Sequence, residues 1–356
     1  MEDSSTGVRR APAAALAALI CLALLALGAT ASPAAAAEPA YAPLDRPGPE
    51  LVVDKQKLRD SLTCSEGVRD AEVEPVLLTP ATGVDSEHNF SWNYERLFDQ
   101  EGIPWCASDQ FGKRSTNNTD IQVRGEYVTY AIRKMAKMAG RKIAVMGHSQ
   151  GGMVMRWPLR FWPDTRKLVE DVIGMAGTNH GTTLADGCSA ESPCTAASGQ
   201  QAASSNFTEA LNSGAETFKP VSYTEIYTTL DEVVTPQPAA SSVAGPAKIT
   251  NVAIQDVCPA DPNEHLGIGT VSPTAAALAL DALTHPGPAD PERIPATVCA
   301  QPFQAGINPA TFAADVAAAA AQLETSTAPE RPQEPRLRCY VFADVHGCRQ
   351  ERFGDK

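Results

Sequence analysis

Short apolar runs recur along the chain and are separated by turn residues. Their length and their share of Val, Ile, Leu and Met are typical of strands buried in a sheet. One run, residues 221–227, alternates apolar and polar positions, which is also a strand pattern. The predicted strands are residues 73–78, 141–146, 169–175, 221–227 and 249–257.

Longer segments with apolar residues three and four positions apart predict helices. The predicted helices are residues 121–138, 153–166, 273–283 and 309–323. Gly140 ends the first helix, and Pro158 and Pro163 are expected to kink or shorten the second. Ser272 and Asn308 are the predicted N-caps of the last two helices, and each is followed by a proline at the first helical position.

The alternation of strands and helices predicts an α/β domain with a mostly parallel central sheet flanked by helices. Catalytic groups on such sheets lie on loops at the carboxyl ends of the strands. Residues 183–220 interrupt the alternation and are rich in Ser, Ala, Gly and Gln. They are predicted to form a small insertion over the sheet, which serves as a lid, a cap or a pocket wall. Residues 325–335 are a Pro- and Glu-rich connector at the start of the tail 325–356.

The N-terminus has the pattern of a secretory signal peptide. Arg9 and Arg10 precede the apolar run 13–27, and A-x-A sequences follow at 29–31 and 35–37. We expect cleavage at the second A-x-A sequence, so that residues 1–37 are removed and residues 38–356 form a single domain. No later segment approaches the apolar length of a membrane helix, so we expect a secreted, extracellular protein without an integral membrane segment.

Composition narrows the range of partners. The formal net charge of −13 disfavours nucleic acid and anionic membranes as partners, and we expect a monomer. Cys21 lies in the signal peptide, and the eight other cysteines predict disulfides, for which 105 pairings are possible. The absence of C-x2-C and H-x3-H spacings argues against a metal site. These cysteines are Cys64, Cys106, Cys188, Cys194, Cys258, Cys299, Cys339 and Cys348.

The candidate chemistry is concentrated in residues 147–151, which read Gly-His-Ser-Gln-Gly and are followed by Gly152. This is the G-x-S-x-G pattern, in which a nucleophilic serine occupies a strained turn between a strand and a helix. A predicted strand precedes Ser149 and a predicted helix follows it, as the pattern requires. A serine hydroxyl needs an imidazole to take its proton, and the imidazole needs a carboxylate to fix its tautomer.

The order Ser, then Asp or Glu, then His along the chain selects the candidates for acid and base. Asp231 follows the predicted strand 221–227 and is the preferred acid, with its neighbour Glu232 as the alternative. His265 follows the predicted strand 249–257 and is the preferred base. The alternatives are His285, expected in a solvated turn, and His346, expected to be structural between two cysteines.

Two donors are predicted to bind the oxyanion that forms during attack on a carbonyl group. The backbone N–H of Gln150, the residue after the nucleophile, is the first. The second is Thr82, in the loop after the first predicted strand, whose hydroxyl can add a further hydrogen bond. The alternative for Thr82 is a plain turn residue beside Gly83.

These motifs together resemble the Candida antarctica lipase B family of α/β-hydrolases. The likeness covers about residues 62–348 and includes Pro-Ala-Thr-Gly at 80–83, Ser-Gln-Gly-Gly at 149–152 and the block 227–237. The resemblance implies the α/β-hydrolase fold, the triad Ser149, Asp231 and His265, and an oxyanion hole from Thr82 and Gln150. It also implies the disulfides Cys64–Cys106, Cys258–Cys299 and Cys339–Cys348, which leaves Cys188 and Cys194 to pair.

The sequence departs from the family pattern at Gly147 and His148, at Ala81, at 84–86 and at 178–181, which puts substrate preference in question. We expect a secreted carboxylester hydrolase, a triacylglycerol lipase that needs no cofactor and acts on an ester or lipid substrate. A polyester depolymerase or an acyltransferase would use the same triad, and a non-enzymatic binding protein is a further alternative. Because an imidazole base must be neutral, activity should fall as the pH drops through the free imidazole value of about 6.5.

Overall fold

A seven-stranded sheet forms the centre of the molecule. The structure is a computed structural model that describes residues 40–110 and 116–345. Seven strands build the central sheet and two further strands, the sixth and ninth, pair separately. The strands are β1 Leu62–Cys64, β2 Val76–Thr79, β3 Trp105–Ser108, β4 Ile143–His148, β5 Val169–Met175, β6 Cys194–Thr195, β7 Ser222–Tyr227, β8 Lys248–Ala253 and β9 Glu330–Arg331.

The helices flank this sheet and contribute its covering side chains. Several of them are only one turn long, and they lie where the chain leaves a strand or enters a loop. The α-helices are α1 Lys55–Asp60, α2 Ser86–Phe90, α3 Tyr94–Glu101, α4 Ile121–Ala139, α5 Gln150–Val154, α6 Arg156–Phe161, α7 Ala196–Gln200, α8 Asn206–Asn212, α9 Ile254–Val257, α10 His265–Ile268, α11 Pro273–Thr284 and α12 Phe312–Thr325.

The sheet has the order β1-β3-β2-β4-β5-β7-β8. Every neighbouring pair is parallel except β1 with β3, which is antiparallel. The predicted mostly parallel sheet is therefore confirmed. Because the parallel strands β4, β7 and β8 end at the same edge, the loops that follow them can meet there.

Alternating side chains of each strand enter two separate hydrophobic cores, one on each face of the sheet. In β2, Leu77 packs into the core that includes α4 and α6, whereas Val76 and Leu78 pack into the core that includes α3 and α11. All three side chains are fully buried. Strands buried on both faces carry continuous apolar runs, which explains why these runs were visible in the sequence.

Several predicted element boundaries are wrong. The strand expected from residue 73 begins at Val76. The strand expected to extend to residue 257 ends at Ala253, whose N–H donates to the Asp256 carboxylate at 3.1 Å as α9 begins. The helix expected from residue 153 starts at Gln150 and ends at Val154, and α6 and a 3-10 turn follow it. The Ala-rich helix begins at Phe312, because residues 308–311 form a turn closed on the Asn308 carbonyl.

Three of the four expected disulfides join cysteines within the described residues. The bonds join Cys64 to Cys106, Cys188 to Cys194, and Cys258 to Cys299. The Cys64–Cys106 bond links the antiparallel pair β1 and β3, in which the two cysteines are register partners. Cys348, like His346, lies outside the described residues, so its pairing with Cys339 remains a prediction.

The insertion 183–220 is attached to the rest of the chain through the C-terminal connector. Its strand β6 pairs with β9 of the connector. The Glu334 carboxylate accepts hydrogen bonds from the backbone N–H groups of Asn206 and Phe207 at the start of α8, at 2.6 and 3.2 Å. Phe207 stacks on the core residue Trp157 with 4.2 Å between ring centroids. These contacts hold the insertion against the rest of the protein at several points. The tip of the insertion, around Gly187, is exposed.

One described stretch passes a composition test for a membrane helix. Residues 265–284 have a mean hydropathy of 1.4, and 67% of that window is buried inside the protein. The stretch contains α10 and α11, and α11 packs against β5 and β7 in the core. A buried core helix satisfies the same test, so this stretch is weak support for a membrane span.

Two carboxyl groups lie together near the amino ends of the strands. Glu74 precedes β2 and shares a hydrogen bond with Asp171 of β5. Burial raises the pKa of Glu74, and the negative charges of Asp171 and Glu170 raise it further. Burial and the charge of Glu170 also raise the pKa of Asp171. The pair therefore retains a proton in the folded protein at a pH where isolated carboxyl groups have lost theirs.

We expect Glu74→Gln to stabilise the protein relative to wild type, by a margin that grows as the pH rises above about 5. In the unfolded chain Glu74 ionises near its ordinary value of 4.5, whereas the folded protein keeps it protonated to higher pH. The stabilising contribution of the proton is complete below the unfolded pKa and is lost as the pH rises towards the folded one. Denaturant unfolding at pH 5, 7 and 9 should show a margin that increases by about 1 to 2 kcal/mol over this range.

The control for this prediction is Glu72→Gln, because Glu72 is a nearby but exposed carboxylate. Its free energy of unfolding should follow that of wild type at all three pH values. A margin for Glu74→Gln that is constant with pH would contradict the assignment of the retained proton.

Candidate active site

Ser149 occupies the turn between β4 and α5. Its backbone has φ 56° and ψ −122°, a left-handed conformation that is rare for residues other than glycine. The Ser149 N–H donates to the Met175 carbonyl at 2.9 Å, which ties the turn to the end of β5. A Cβ on Gly147 would lie 2.3 Å from the Gly151 carbonyl carbon, and a Cβ on Gly151 would lie 1.9 Å from the Thr79 carbonyl oxygen. The glycines of the motif are thus required by close backbone contacts.

Asp231 and His265 form a buried pair at the carboxyl edge of the sheet. His265 Nδ1 lies 3.0 Å from Asp231 Oδ2, and the two side chains are 4% and 0% exposed. Asp231 lies in the loop after β7, and His265 is the first residue of α10, which Glu264 caps. The Thr228 hydroxyl donates to the Asn263 carbonyl at 2.7 Å, so the loops that carry the acid and the base are joined directly.

Hydrogen bonds hold the Asp231 carboxylate in its charged form. Burial alone would raise the pKa of Asp231, but the hydrogen bond and charge of His265 lower it below its ordinary value. The backbone N–H groups of Val233 and Val234 add to this effect, because both donate to Asp231 Oδ1, at 3.0 and 2.7 Å. The carboxylate can therefore accept a hydrogen bond from the protonated Nδ1 of the His265 imidazole.

His265 also lies next to the Gly147–Gly151 turn that carries Ser149, which we call the elbow. Its ring centroid is 5.3 Å from the ring centroid of His148, the residue that precedes Ser149. Ser149 itself is 5% exposed and His265 is 3% exposed. The structure thus brings the acid, the base and the residue before the candidate nucleophile into one buried cluster.

Two glutamine side chains fix the Thr82 hydroxyl. Gln150 Nε2 and Gln201 Nε2 both donate to Thr82 Oγ1, each at 2.9 Å. A hydroxyl oxygen has two acceptor sites and one O–H donor. Since both acceptor sites are occupied by amide N–H groups, the O–H of Thr82 remains as a donor. The Thr82 hydroxyl is thus available as a donor, and its role at the oxyanion stays a prediction.

Comparison with known proteins agrees with this geometry. The family described as lipase (class 2) matches residues 110–271, which include Ser149, Asp231 and His265. Lipase B of Pseudozyma antarctica is 32% identical over 217 residues, which are 59% of this chain and 61% of that protein. Over this part of its length the chain is similar to lipase B.

The crystal structure of Aspergillus fumigatus lipase B is similar over most of the chain. Its TM-score is 0.72 at 26% identity, and the match covers 86% of this chain and 75% of that one. The chain therefore has the α/β-hydrolase fold that the motifs predicted. The match with Pseudozyma antarctica lipase B covers less than two thirds of that relative, at 61% of its length.

The alternative base His285 and a further histidine, His180, lie in different surroundings from His265. His285 is half-exposed and pairs with Asp281 at 3.2 Å. His180 pairs with Glu216, also at 3.2 Å. Glu232, the alternative acid, is exposed at the surface. Among residues 40–110 and 116–345, no group of three or more His, Cys, Asp or Glu side chains is arranged to hold a metal ion.

Sequence reasoning missed the side chains that support the oxyanion loop. Gln201 comes from the insertion and lies 119 positions after Thr82. Arg124 of α4 is 1% exposed and donates to Gln150 Oε1 and to the Pro80 carbonyl. No local motif marks either residue. The one available signal was a charged Arg124 within the apolar pattern of a buried helix, because a buried charge must find partners.

Proposed function

We propose that this protein is a secreted serine carboxylester hydrolase that acts on triacylglycerols as a lipase. The observation that carries this proposal is Ser149 on a strained elbow beside the buried Asp231–His265 pair. A strained conformation that glycine contacts enforce, together with an oriented imidazole, is the arrangement that acyl transfer to a serine needs.

In the proposed reaction Ser149 Oγ attacks the carbonyl carbon of the ester while His265 Nε2 takes the hydroxyl proton. The tetrahedral intermediate collapses when His265 returns this proton to the leaving alcohol, which leaves an acyl group on Ser149. A water molecule then gives a proton to His265 and attacks the acyl carbon. The second tetrahedral intermediate collapses when His265 returns this proton to Ser149 Oγ, and the carboxylic acid is released. Asp231 stabilises the imidazolium in both steps, and no cofactor enters the proposal.

The oxyanion of each tetrahedral intermediate is proposed to bind to Thr82 and Gln150. The Gln150 N–H is the first of α5, where the helix N-terminus adds a favourable partial charge. The Thr82 hydroxyl donates because Gln150 and Gln201 occupy its acceptor sites. Such donors stabilise the transition state more than the ground state because they are already oriented.

Exposed leucines support a water-insoluble ester as the substrate. Leu230 and Leu266 are each 51% exposed and adjoin Asp231 and His265 in the chain. Leu184 of the insertion is 67% exposed. Apolar side chains around a catalytic site favour contact with a lipid surface or an apolar acyl chain. A polyester depolymerase or an acyltransferase with the same triad would use similar features, so the experiment must separate them.

The proposal includes export and a monomeric state. Residues 1–37 are proposed to be a cleaved signal peptide before a single catalytic domain, 38–356. The disulfides support an extracellular location, because such bonds persist in oxidising compartments. No nucleic acid partner is proposed, in view of the net charge of −13.

The decisive experiment measures release of fatty acid from emulsified triacylglycerol by the wild type and by Ser149→Ala. We expect turnover by the wild type and none by the variant. Parallel assays with a soluble short-chain ester, a polyester film and an added alcohol acceptor separate lipase from esterase, depolymerase and acyltransferase. Ser149-independent release, or no hydrolysis of any ester, would overturn the proposal, and hydrolysis of short esters alone would overturn its lipase part.

The role of Thr82 gives a separate prediction. Thr82→Val keeps the shape of the side chain and removes the hydroxyl, so we expect kcat to fall roughly 10²-fold with a small change in KM. Thr82→Ser is the matched control and should keep most of the activity, because it retains the donor. Initial rates with a soluble ester over a range of concentrations measure both constants. Wild-type kcat in Thr82→Val would show that the hydroxyl does not contact the transition state.

A further inference from the structure

His148 is a buried histidine that the proposed reaction does not use. It is the last residue of β4, it precedes Ser149, and it is 2% exposed. Both of its ring nitrogens have partners. Nδ1 lies 3.3 Å from Asn89 Nδ2, and Nε2 lies 3.0 Å from the His265 carbonyl oxygen. The side chain therefore spans the distance between α2 and the residue proposed as the base.

The partners of His148 define which nitrogen carries its proton. Asn89 Oδ1 accepts the Ala81 N–H at 2.8 Å, so the amide group of Asn89 turns its NH2 towards His148. An NH2 group can only donate, so Nδ1 must be the acceptor. The His265 carbonyl can only accept, so Nε2 must carry the hydrogen. Burial and the nearby charge of His265 lower the pKa of His148 to about 3, which agrees with a neutral ring.

The segment 265–269, which begins with the proposed base, leaves space for the His148 ring. A Cβ on Gly269, which follows α10, would lie 2.2 to 2.3 Å from ring atoms of His148. The ring thus fills the space that the absence of a side chain at Gly269 leaves open, while it packs against the His265 ring at 5.3 Å between centroids. His148 thus contacts residues 265–269 both by a hydrogen bond and by packing of its ring.

One chain of hydrogen bonds therefore connects the two loops of the proposed site. It runs from the Ala81 N–H to Asn89, from Asn89 to His148, and from His148 to the main chain of His265. Ala81 is next to Thr82, the proposed oxyanion donor. All groups in this chain are neutral, so it adds no charge beside the imidazolium that forms on His265 during the reaction.

We propose that His148 is a positioning residue that holds the His265 backbone in register with the oxyanion loop through its Nε2–H tautomer. This role rests on the proposed function, because it aligns His265 for proton transfer with Ser149. A displacement of the base by about 1 Å lowers the rate of a positioned reaction by about 10²-fold, even when substrate binding is unaffected. The effect of losing His148 should therefore appear in kcat and not in KM.

Three variants at position 148 separate this role from a structural one. His148→Phe keeps a ring of similar shape and removes both hydrogen bonds, so we expect kcat to fall about 10- to 100-fold with KM within about twofold. His148→Gln can still donate to the His265 carbonyl and should recover most of the lost kcat. His148→Asn retains only an acceptor for Asn89 and should resemble His148→Phe. His285→Phe, at an exposed histidine, is the control and should keep wild-type kcat.

The tautomer is measured on the wild-type protein, independently of whether the variants fold. A long-range proton–nitrogen NMR spectrum at neutral pH, assigned by comparison with His148→Gln, shows which ring nitrogen of residue 148 is protonated. Protonation at Nε2 is expected. Protonation at Nδ1, or at both nitrogens, would overturn the proposal.

The kinetic outcomes also distinguish failure of this inference from failure of the proposed function. An active wild type with an equally active His148→Phe overturns the positioning role alone. The same holds if His148→Gln loses as much kcat as His148→Phe, because a restored donor to the His265 carbonyl would then fail to restore the rate. A wild type without Ser149-dependent turnover overturns the proposed function and this role with it.

Discussion

Asp231→Asn should lower kcat of ester hydrolysis by roughly 10⁴-fold, with little change in KM or in thermal stability. The Asn oxygen can still accept the N–H groups of Val233 and Val234, which now donate to Asp231 Oδ1. The Asn NH2 would then occupy the position of Oδ2 and face His265 Nδ1 at about the present 3.0 Å. Because an NH2 group only donates, Nδ1 would become the acceptor and the imidazole proton would move to Nε2. An imidazole in that tautomer cannot take the proton of Ser149.

Steady-state kinetics on a soluble ester, combined with a thermal unfolding curve, tests this expectation. Glu232→Gln is the matched control, because Glu232 is the adjacent carboxylate and is exposed. It should retain wild-type kcat. If Glu232→Gln lost activity and Asp231→Asn did not, the acid would be Glu232, the alternative that the sequence left open.

Gly151→Ala should prevent the protein from reaching a stable fold. The added methyl group would lie 1.9 Å from the Thr79 carbonyl oxygen and 2.8 Å from its carbonyl carbon. These are backbone atoms of β2, which pairs with both β3 and β4. The Thr79 carbonyl group therefore cannot move away from the added methyl group. We expect a loss of about 4 kcal/mol or more in the free energy of unfolding, or no soluble protein.

The control for this substitution is Gly187→Ala. Gly187 is an exposed glycine of the insertion, and a Cβ there would meet no atom within 4 Å. Its unfolding midpoint in denaturant should equal that of wild type within error. A Gly151→Ala protein as stable as Gly187→Ala would mean that the elbow does not pack against β2 as the structure describes.

The sequence predicted the central elements of the fold because they obey one strong pattern. β5 was predicted with its observed boundaries, and six of its seven residues are buried. The boundary errors have local causes. Ile254 continues the apolar run of β8, but a backbone contact with the Asp256 side chain turns the chain into a helix there. The strands β6 and β9, at Cys194–Thr195 and Glu330–Arg331, are too short to leave any periodicity.

The candidate site divides in the same way between local and distant signals. Ser149 was visible because the elbow is a contiguous motif, and Asp231 and His265 because each follows a strand in the expected order. Gln201 and Asn89 were invisible, because their hydrogen bonds to Thr82 and His148 depend on how separate segments meet in three dimensions. Motifs therefore indicated the proposed reacting groups, and only the folded structure showed the groups that contact them.

The pairing of β6 with β9 has a consequence for the order in which the protein is made. Residues 330–334 are synthesised after the whole sheet and after all three proposed catalytic side chains. A nascent chain therefore holds the sheet and those side chains before it holds β9 and Glu334. Until Glu334 emerges, the start of α8 lacks its carboxylate cap, and the insertion that contributes Gln201 lacks its partner strand. The segment that carries Gln201, which donates to Thr82, is thus fixed in place only late in translation. Synthesis itself therefore delays the assembly of the proposed site until residues 330–334 have emerged.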